Sequence, residues 1–385
     1  MPVFFATCPK GLSEALQKEI ESFDSKFKRV SAKQKGVEFE TSWEGAFEVN
    51  YRSKIASRVL KPVLNFLAST EDQIVPLLNK HDFSKYIPKN GSFALRVKTS
   101  DSANYKDQPG MMNHIRVGLV AQFESKGRKD IYINTESPDL EIFVMIYRAN
   151  FSISLNLSGE PLSNRGYRGA GELAPLRENL AAGLIKLTGW NEKEDPLVDF
   201  MCGSGTFLIE AALINHPLNL KNRNFSFESW TFIDKSVVKS ARKKALQIRN
   251  DIESQVENKN IFGFDQDPRS MASVKMTLES ENRLEKRVHL KQLSLKDLQA
   301  TDVPSEKKGV VILNPPYGKR LGDTEQAKKT YSLIGDVLKK HFKGWKAFII
   351  SPDPSLSKEL HMKAFFKKQV DNGGVDCVFL GYEIN

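Results

Sequence analysis

Cysteine, histidine and long apolar runs are scarce in this sequence. Its 385 residues include six histidines and three cysteines, Cys8, Cys202 and Cys377, and none of them has the spacing of zinc ligands. No stretch approaches the ~18 apolar residues of a membrane span, and residues 1–7 do not resemble a secretion signal. The sequence therefore predicts no disulfide framework, no metal, no membrane partner and a cytoplasmic location.

Positive charge is in excess. Lys and Arg number 57 against 47 Asp and Glu, which gives a net charge of +10. Hydrophobic residues make up 40% and charged residues 27%, as is ordinary for globular proteins, and the length suffices for two or three domains. The balance favours an anionic partner such as nucleic acid.

The first 157 residues show two α+β patterns without catalytic spacing. Residues 1–60 alternate strands and helices as a small ferredoxin-like module does, with Thr41 or Ser42 as the N-cap of the second helix. Residues 61–157 contain a strand, a helix and a predicted hairpin with its turn at Ala149-Asn150. Because neither module has nucleophile–base or metal spacing, both are predicted to bind and not to react.

A Gly- and Arg-rich segment, residues 159–172, marks the predicted start of a third domain, residues 158–385. Within it Arg165, Tyr167 and Arg168 combine guanidinium groups with an aromatic face, which suits contact with RNA phosphates and bases. The alternative is a flexible linker whose arginines are only solvated.

The third domain begins as a strand, a glycine loop and a helix. The strand ends at Asp199, and the loop carries Gly203 and Gly205, which let a backbone approach a ligand closely. Asp199 is expected to accept a hydrogen bond from the ligand or to orient the loop. Leu208 stands where the dinucleotide fingerprint needs glycine, and Cys202 where a nucleophile elbow needs it, so neither motif is present.

The next predicted strand, residues 261–265, ends at Asp265. An acid in this position holds ribose hydroxyls in such folds, so we expect Asp265 to bind the ligand. Asp267 precedes Pro268 and is expected to cap a helix instead.

A buried strand, residues 310–313, stops at Asn314-Pro315-Pro316-Tyr317, because proline cannot continue a ladder. The Asn314 side-chain oxygen and the Pro315 carbonyl can accept the two N–H donors of a base amino group, and Tyr317 can stack on the base. Read only as structure, the tetrapeptide is a proline-rich turn. Lys319 and Arg320 follow, and they either meet phosphate or belong to a solvated loop.

Residues 199–212, 263–267 and 314–322 together resemble the class I S-adenosylmethionine-dependent methyltransferases that modify base amino groups. Residues 5–16, 157–168 and 174–182 resemble, more narrowly, the THUMP-containing bacterial 23S rRNA guanine-N2 methyltransferases. This resemblance covers nearly the whole chain. It implies an α/β, Rossmann-like methyltransferase domain at residues 158–385, preceded by the ferredoxin-like module and by an RNA-gripping THUMP domain at residues 61–157.

The resemblance also implies roles for individual residues. S-adenosylmethionine would be the cofactor, with the glycine loop under its methionine part and Asp265 on its ribose. The target base would be held by Asn314, Pro315 and Tyr317. The full set of residues expected at the cofactor is Glu178, Asn179, Asp199, Gly203, Gly205, Thr206, Asp265 and Ser294.

Ser294 departs from the family pattern. Many relatives carry an Asp that accepts from the adenine amino group where this chain has Ser294. A hydroxyl still accepts that bond but without charge, so weaker cofactor affinity is expected. Asp297 would compensate only if the register slips.

The sequence thus predicts methyl transfer to the exocyclic N2 of a guanine in RNA, with 23S rRNA or a large-subunit precursor as the partner. The base would be unstacked into the pocket at a cost of a few kcal/mol. Three alternatives stay open: tRNA guanine-N2 methylation, DNA adenine-N6 methylation, and a non-catalytic RNA-binding assembly factor.

Overall fold

The computed structural model of the chain describes residues 1–100, 105, 107–167, 176–218, 220, 223–254, 260–281, 284–304, 306–316 and 323–385. These residues form two β-sheets and the helices that pack on them.

The strands, in chain order, are β1 Val3–Thr7, β2 Lys28–Lys33, β3 Gly36–Glu40, β4 Arg58–Leu67, β5 Ser92–Thr99, β6 Tyr132–Ile133, β7 Leu140–Tyr147, β8 Asn150–Asn156, β9 Leu197–Asp199, β10 Ile261–Asp265, β11 Val288–Gln292, β12 Val310–Leu313, β13 Lys346–Ser351, β14 Ala364–Asn372 and β15 Val375–Glu383. The helices are α1 Ser13–Glu21, α2 Trp43–Arg52, α3 Ile74–Leu78, α4 Gln108–Ser125, α5 Glu178–Thr188, α6 Thr206–Ala212, α7 Ser226–Ser229, α8 Lys235–Ser254, α9 Pro268–Ser280 and α10 Asp323–His341.

The N-terminal sheet has eight strands in the order β2-β3-β1-β4-β8-β7-β5-β6. Strand β4 joins its two halves, because Leu60 pairs with Phe5 of β1 on one side and with Asn156 of β8 on the other. The two predicted N-terminal modules therefore share one continuous sheet. Their bounds, 1–60 and 61–157, stay a prediction.

One face of this sheet is covered and the other is not. Its covered face carries core side chains such as Phe4 and Phe93, which contact the aromatic rings of Trp43 in α2 and Phe123 in α4. Alternate residues point the other way. This second side, here called the open face, carries partly or fully exposed side chains: Phe5, Glu38, Asn65, Lys98, Met145 and Ser152.

The C-terminal sheet has seven strands in the order β11-β10-β9-β12-β13-β15-β14. Strands β9 to β13 are parallel, and β15 runs antiparallel to β13. Both faces are covered. One packs against apolar residues of α5, α6 and α9, and the other against α10 and the 3₁₀ turn Pro354–Leu360. Its central strands are accordingly buried on both sides.

The two sheets are held together by contacts between their helices and loops. The rings of Phe47 in α2 and Phe227 in α7 stack with centroids 4.0 Å apart. The Tyr51 hydroxyl donates to Glu228 at 2.7 Å. A Cβ added at Gly11 would lie 2.1 Å from the carbonyl oxygen of Gln369 in β14, so the N-terminal loop and the last hairpin touch through backbone.

Several local expectations can be compared with this structure. Ser42 accepts from the Gly45 N–H and Asp267 from the Arg269 N–H, so both act as N-caps. The turn predicted at Ala149-Asn150 was wrong by one residue: Tyr147 pairs with Asn150, which leaves Arg148 and Ala149 in the loop, with Arg148 at a φ of 54°. Among the described residues, no helix has the length and apolar character needed to cross a bilayer.

Candidate active site

The candidate site lies where the chain order of the C-terminal sheet reverses. From β9 the chain proceeds outward through β10 to β11, then returns to β12 on the other side of β9. Strands β9 and β12 are parallel, with Val198 opposite Val311, so Asp199 and Asn314 leave the sheet at the same edge. Ligands bind in this crevice in open α/β sheets.

The strand-ending motif is described as far as Pro316. Asn314 is partly buried, Pro315 is buried and Pro316 is exposed. Asn314 therefore keeps some exposed surface at this end of the strand, as contact with a base requires. Tyr317, Lys319 and Arg320 lie outside the described residues, and their predicted roles stay predictions.

The glycine loop has two residues in the left-handed region, Gly203 at a φ of 49° and Gly205 at 73°. A Cβ at Gly205 would lie 2.7 Å from the Val274 methyl groups, so only glycine fits there. A Cβ at Gly203 would meet nothing within 4 Å. Gly203 therefore borders open space that a ligand can enter, whereas Gly205 is required by packing. Thr206, at the start of α6, is buried.

Asp265 fixes the glycine loop to the end of β10. One carboxylate oxygen accepts from the Gly203 N–H at 2.8 Å, and the other from the Asp267 N–H at 2.9 Å. Asp265 is only partly buried, so its remaining lone pairs can accept from ribose hydroxyls. This geometry suits the role predicted for it.

Asp199 is 2% exposed and accepts from the Met201 N–H at 3.1 Å. Burial, together with the nearby charge of Asp265, raises the pKa of Asp199 to about 8. The environment therefore favours the protonated carboxyl group, and its observed bond orients the loop that follows β9.

Ser294 follows strand β11 and lies at the same edge of the sheet as Asp265. The Leu293 N–H donates to the Asp265 carbonyl at 3.0 Å and so holds the end of β11 beside the end of β10. The Ser294 hydroxyl donates to Asp297 at 2.6 Å. Its lone pairs therefore remain able to accept from a ligand amine, and the carboxylate of Asp297 enhances that capacity. Ser294 and Asp297, which the sequence offered as alternative acceptors for the adenine amine, are thus joined by a hydrogen bond.

Glu178 and Asn179 begin α5 and are both buried. The Asn179 amide donates to the Ile55 carbonyl at 3.2 Å and to the Ser57 hydroxyl at 2.9 Å. Asn179 therefore ties α5 to the N-terminal part of the chain. Its Oδ1 has no hydrogen-bond partner in the described part of the chain, so the expected contact with the cofactor stays a prediction.

Arg165 does not lie where the sequence suggested. Its side chain is 4% exposed and forms an ion pair with the fully buried Glu210 of α6, with Nε 3.2 Å from Oε1. It also donates to the Leu162 carbonyl, and the Tyr167 hydroxyl donates to Glu210 at 3.1 Å. This burial contradicts an RNA phosphate contact for Arg165, because its guanidinium is buried and already paired with the Glu210 carboxylate. Arg168 lies outside the described residues.

Lys54 is a buried charge that sequence reasoning missed. It lies next to Arg165 and Glu210, and burial, reinforced by repulsion from Arg165, lowers its pKa to about 7. No motif marks Lys54, and Glu210 is 156 positions further along the chain, so nothing local in the sequence indicated the cluster.

The described residues contain no group of three or more metal-ligating side chains. What they do bring together is an open space over Gly203, a ribose-type acceptor at Asp265, a hydroxyl at Ser294 and an amide at Asn314. Such a crevice fits an adenosine-containing ligand on one side and a planar amine on the other.

Comparison with known proteins places these features in a family. Residues 165–380 match the RMKL-like methyltransferase domain, and residues 3–60 match the RlmL ferredoxin-like domain. The first match covers more than half of the chain and includes the glycine loop, Asp265 and Asn314.

Individual relatives agree with this result. The ribosomal RNA large subunit methyltransferase K/L of Syntrophotalea carbinolica is 31% identical over 99% of this chain and 53% of its own length. The chain spans about half the length of the curated relatives it matches. Among solved structures, a possible methylase from Clostridium difficile 630 is 28% identical, with a TM-score of 0.84 over 100% of this chain and 98% of the other.

The structure of SMU.472 complexed with SAH is 27% identical, with a TM-score of 0.82 over 100% of this chain and 98% of the other. These matches confirm the resemblance and the fold class predicted from the sequence. The chain belongs to the family of RMKL-like methyltransferases.

Proposed function

We propose that the chain transfers a methyl group from S-adenosylmethionine to the exocyclic N2 amine of a guanine in 23S rRNA. The observation that carries the proposal is the position of Asn314, at the edge of β12 beside Asp199 and the glycine loop. An amide at this point can hold an amine against the cofactor side of the crevice.

The names and contents of the relatives support the cofactor and the substrate class. The curated relatives are named as methyltransferases of the large-subunit RNA, and SMU.472 holds SAH. S-adenosylmethionine supplies an electrophilic methyl group when bound. In this chain the open space at Gly203 would leave room for it, Asp265 would accept from its ribose hydroxyls and Ser294 from its adenine amine.

Asn314 and Pro315 would hold the target base. The Asn314 side-chain oxygen and the Pro315 carbonyl would accept hydrogen bonds from the two N–H groups of the amine, which would direct the nitrogen lone pair toward the cofactor side. Because this nitrogen loses its proton only after attack, positioning contributes more than a strong base. With an rRNA or large-subunit precursor as substrate, the reaction would take place in the cytoplasm.

The test is the transfer of labelled methyl from S-adenosylmethionine to unmodified 23S rRNA, tRNA and duplex DNA in parallel, followed by nucleoside analysis. N2-methylguanosine in 23S rRNA, formed far more slowly with Asn314→Ala and at the wild-type rate with the exposed control Asn113→Ala, is the expected result. Label in tRNA or in DNA adenine would overturn the assignment of 23S rRNA as the substrate. No label and no cofactor binding would overturn the enzymatic assignment.

A further inference from the structure

The burial of Arg165 removes a phosphate contact predicted at the junction, so other basic residues on the described surface must contact the anionic substrate. A concentration of cations occurs at one end of the open face. It comprises three residues of the N-terminal sheet and two from neighbouring segments, and is called here the basic cluster: Arg58, Arg96, Lys98, Arg177 and Lys35.

Strand pairing fixes three members of the basic cluster on the open face. Arg96 lies opposite Phe143 and Lys98 opposite Met145, so both point to the same side of the sheet. The Arg58 guanidinium lies 5.7 Å from the centroid of the Phe143 ring. The charges of Arg58, Arg177, Arg96 and Lys35 all repel that of Lys98, and they add to the burial that lowers the pKa of Lys98.

The basic cluster has little internal compensation. Its described acidic neighbour, Glu141, is buried, lies 3.2 Å from the Nε of Arg96 and also accepts from the Asn156 amide at 2.9 Å. The Nε of Arg58 is buried and has no hydrogen-bond partner within the described ranges. Arg58 therefore has an incompletely paired guanidinium, and Arg96, Lys98, Arg177 and Lys35 beside it are exposed. Together these residues favour the binding of an anion.

An open groove continues from the basic cluster along the same face. Its volume is about 610 Å³. Most of its lining is apolar or carries hydroxyl groups and includes Phe5, Pro62, Met145, Tyr147, Ser152 and Ser154, and the rest includes Asn65, Asn150 and one charge of each sign, Lys61 and Glu38. Tyr147 is 49% exposed at its rim. Aromatic rings on an uncovered sheet stack unpaired bases, while neighbouring cations hold the backbone.

We propose that the open face of the N-terminal sheet is the RNA-binding surface, with the basic cluster on backbone phosphates and the groove on unpaired bases. This deepens the proposed function, on which it rests. Arg177 directly precedes α5, and its backbone N–H donates to Asn372 at 3.1 Å, so the basic cluster reaches from the N-terminal sheet to the C-terminal domain. An RNA strand held there can extend toward the crevice.

The experiment measures binding of an unmodified 23S rRNA transcript at several salt concentrations. The double variant Lys35→Gln/Lys98→Gln should bind more weakly and lower the slope of log affinity against log salt by roughly 1 for each lysine. The matched control, Lys239→Gln/Lys243→Gln, changes the same charge on the exposed side of α8 and should keep the wild-type slope.

A second pair of variants tests the groove. Tyr147→Ala should weaken binding roughly tenfold without changing the salt slope, because stacking involves no counterion release. Phe365→Ala removes a ring of similar exposure, 52%, from the other sheet and should have no effect on RNA affinity. Binding of S-adenosylmethionine by every variant reports that the fold is retained.

The failures are distinguishable. If wild-type protein methylates rRNA but the lysine variants keep its affinity and slope, the surface is wrong and the proposed function stands. If these variants instead turn a dimer into a monomer in sedimentation, the open face is an interface between copies and the inference is overturned. If the wild-type protein neither binds nor methylates rRNA, both proposals fail.

Discussion

The two sheets of this chain differ in how many of their faces are covered. The C-terminal sheet is packed on both faces, which leaves its strand ends as the place where a ligand can enter. The N-terminal sheet is packed on one face, which leaves a broad surface available. The difference explains how one chain can separate two tasks, since an edge crevice positions a single reacting group and an open face can hold an extended polymer.

The largest effect is expected where the two parts are joined. Arg165→Ala should lower the free energy of unfolding by about 3–5 kcal/mol, because it leaves the buried Glu210 carboxylate without its ion-pair partner. Lys10→Ala breaks an ion pair with Asp376 whose side chains are 50% and 76% exposed, and should cost less than ~1 kcal/mol. Urea unfolding measures both, and equal losses would refute the role assigned to Arg165.

The next effect concerns the edge of the C-terminal sheet. Asn314→Ala should reduce kcat on the order of 10²-fold, because a preorganised polar contact to the reacting amine is lost. The affinity for RNA should not change, since the open face of the N-terminal sheet is proposed to bind the RNA. Single-turnover kinetics with 23S rRNA measure this, and an unchanged rate would remove Asn314 from the site.

The two glycines allow a finer comparison. Gly203→Ala places a Cβ in open space and should cost about 1–2 kcal/mol of stability for the left-handed backbone, yet greatly weaken cofactor binding. Gly205→Ala adds a collision with Val274 and should destabilise the fold more. Urea unfolding and calorimetric titration with S-adenosylhomocysteine separate the two results. Normal cofactor binding by Gly203→Ala would place the ligand elsewhere.

A last comparison concerns pH dependence. The folded-state pKa of Asp199, about 8, exceeds its ordinary value of 3.8, so the folded protein holds a proton that the unfolded chain releases. The stabilisation that the Asp199 proton provides is therefore complete below pH 3.8. It declines as the pH rises from 3.8 toward about 8, the pKa of the folded state. Asp199→Asn lacks this decline, and its stability relative to wild type should rise with pH. Parallel curves in urea unfolding would contradict the assignment.

The local structure at the C-terminal edge could be predicted from the sequence because its signals are local. The strand that ends at Asn314-Pro315 and the cap at Asp267 each occupy a few consecutive residues. Strand β4 has no such local signal, since Pro62 argues against a central strand. The structure accommodates Pro62 with a register shift between Pro62 and Leu64.

The burial of Arg165 and the position of the basic cluster could not be predicted in the same way. Both depend on residues far apart in the sequence, such as Arg165 with Glu210 or Lys98 with Arg177. A basic residue in a glycine-rich segment has the same local pattern whether it meets RNA or a buried carboxylate. Only the packing of the two sheets decides between them.

The most direct test of this division of tasks is to measure kcat at saturating 23S rRNA, and Kd for that RNA, in Asn314→Ala and in Lys35→Gln/Lys98→Gln. The account predicts that Asn314→Ala loses kcat and keeps Kd, whereas the lysine variant weakens Kd and keeps kcat. If both variants change the same quantity, the edge and the open face do not have separate functions.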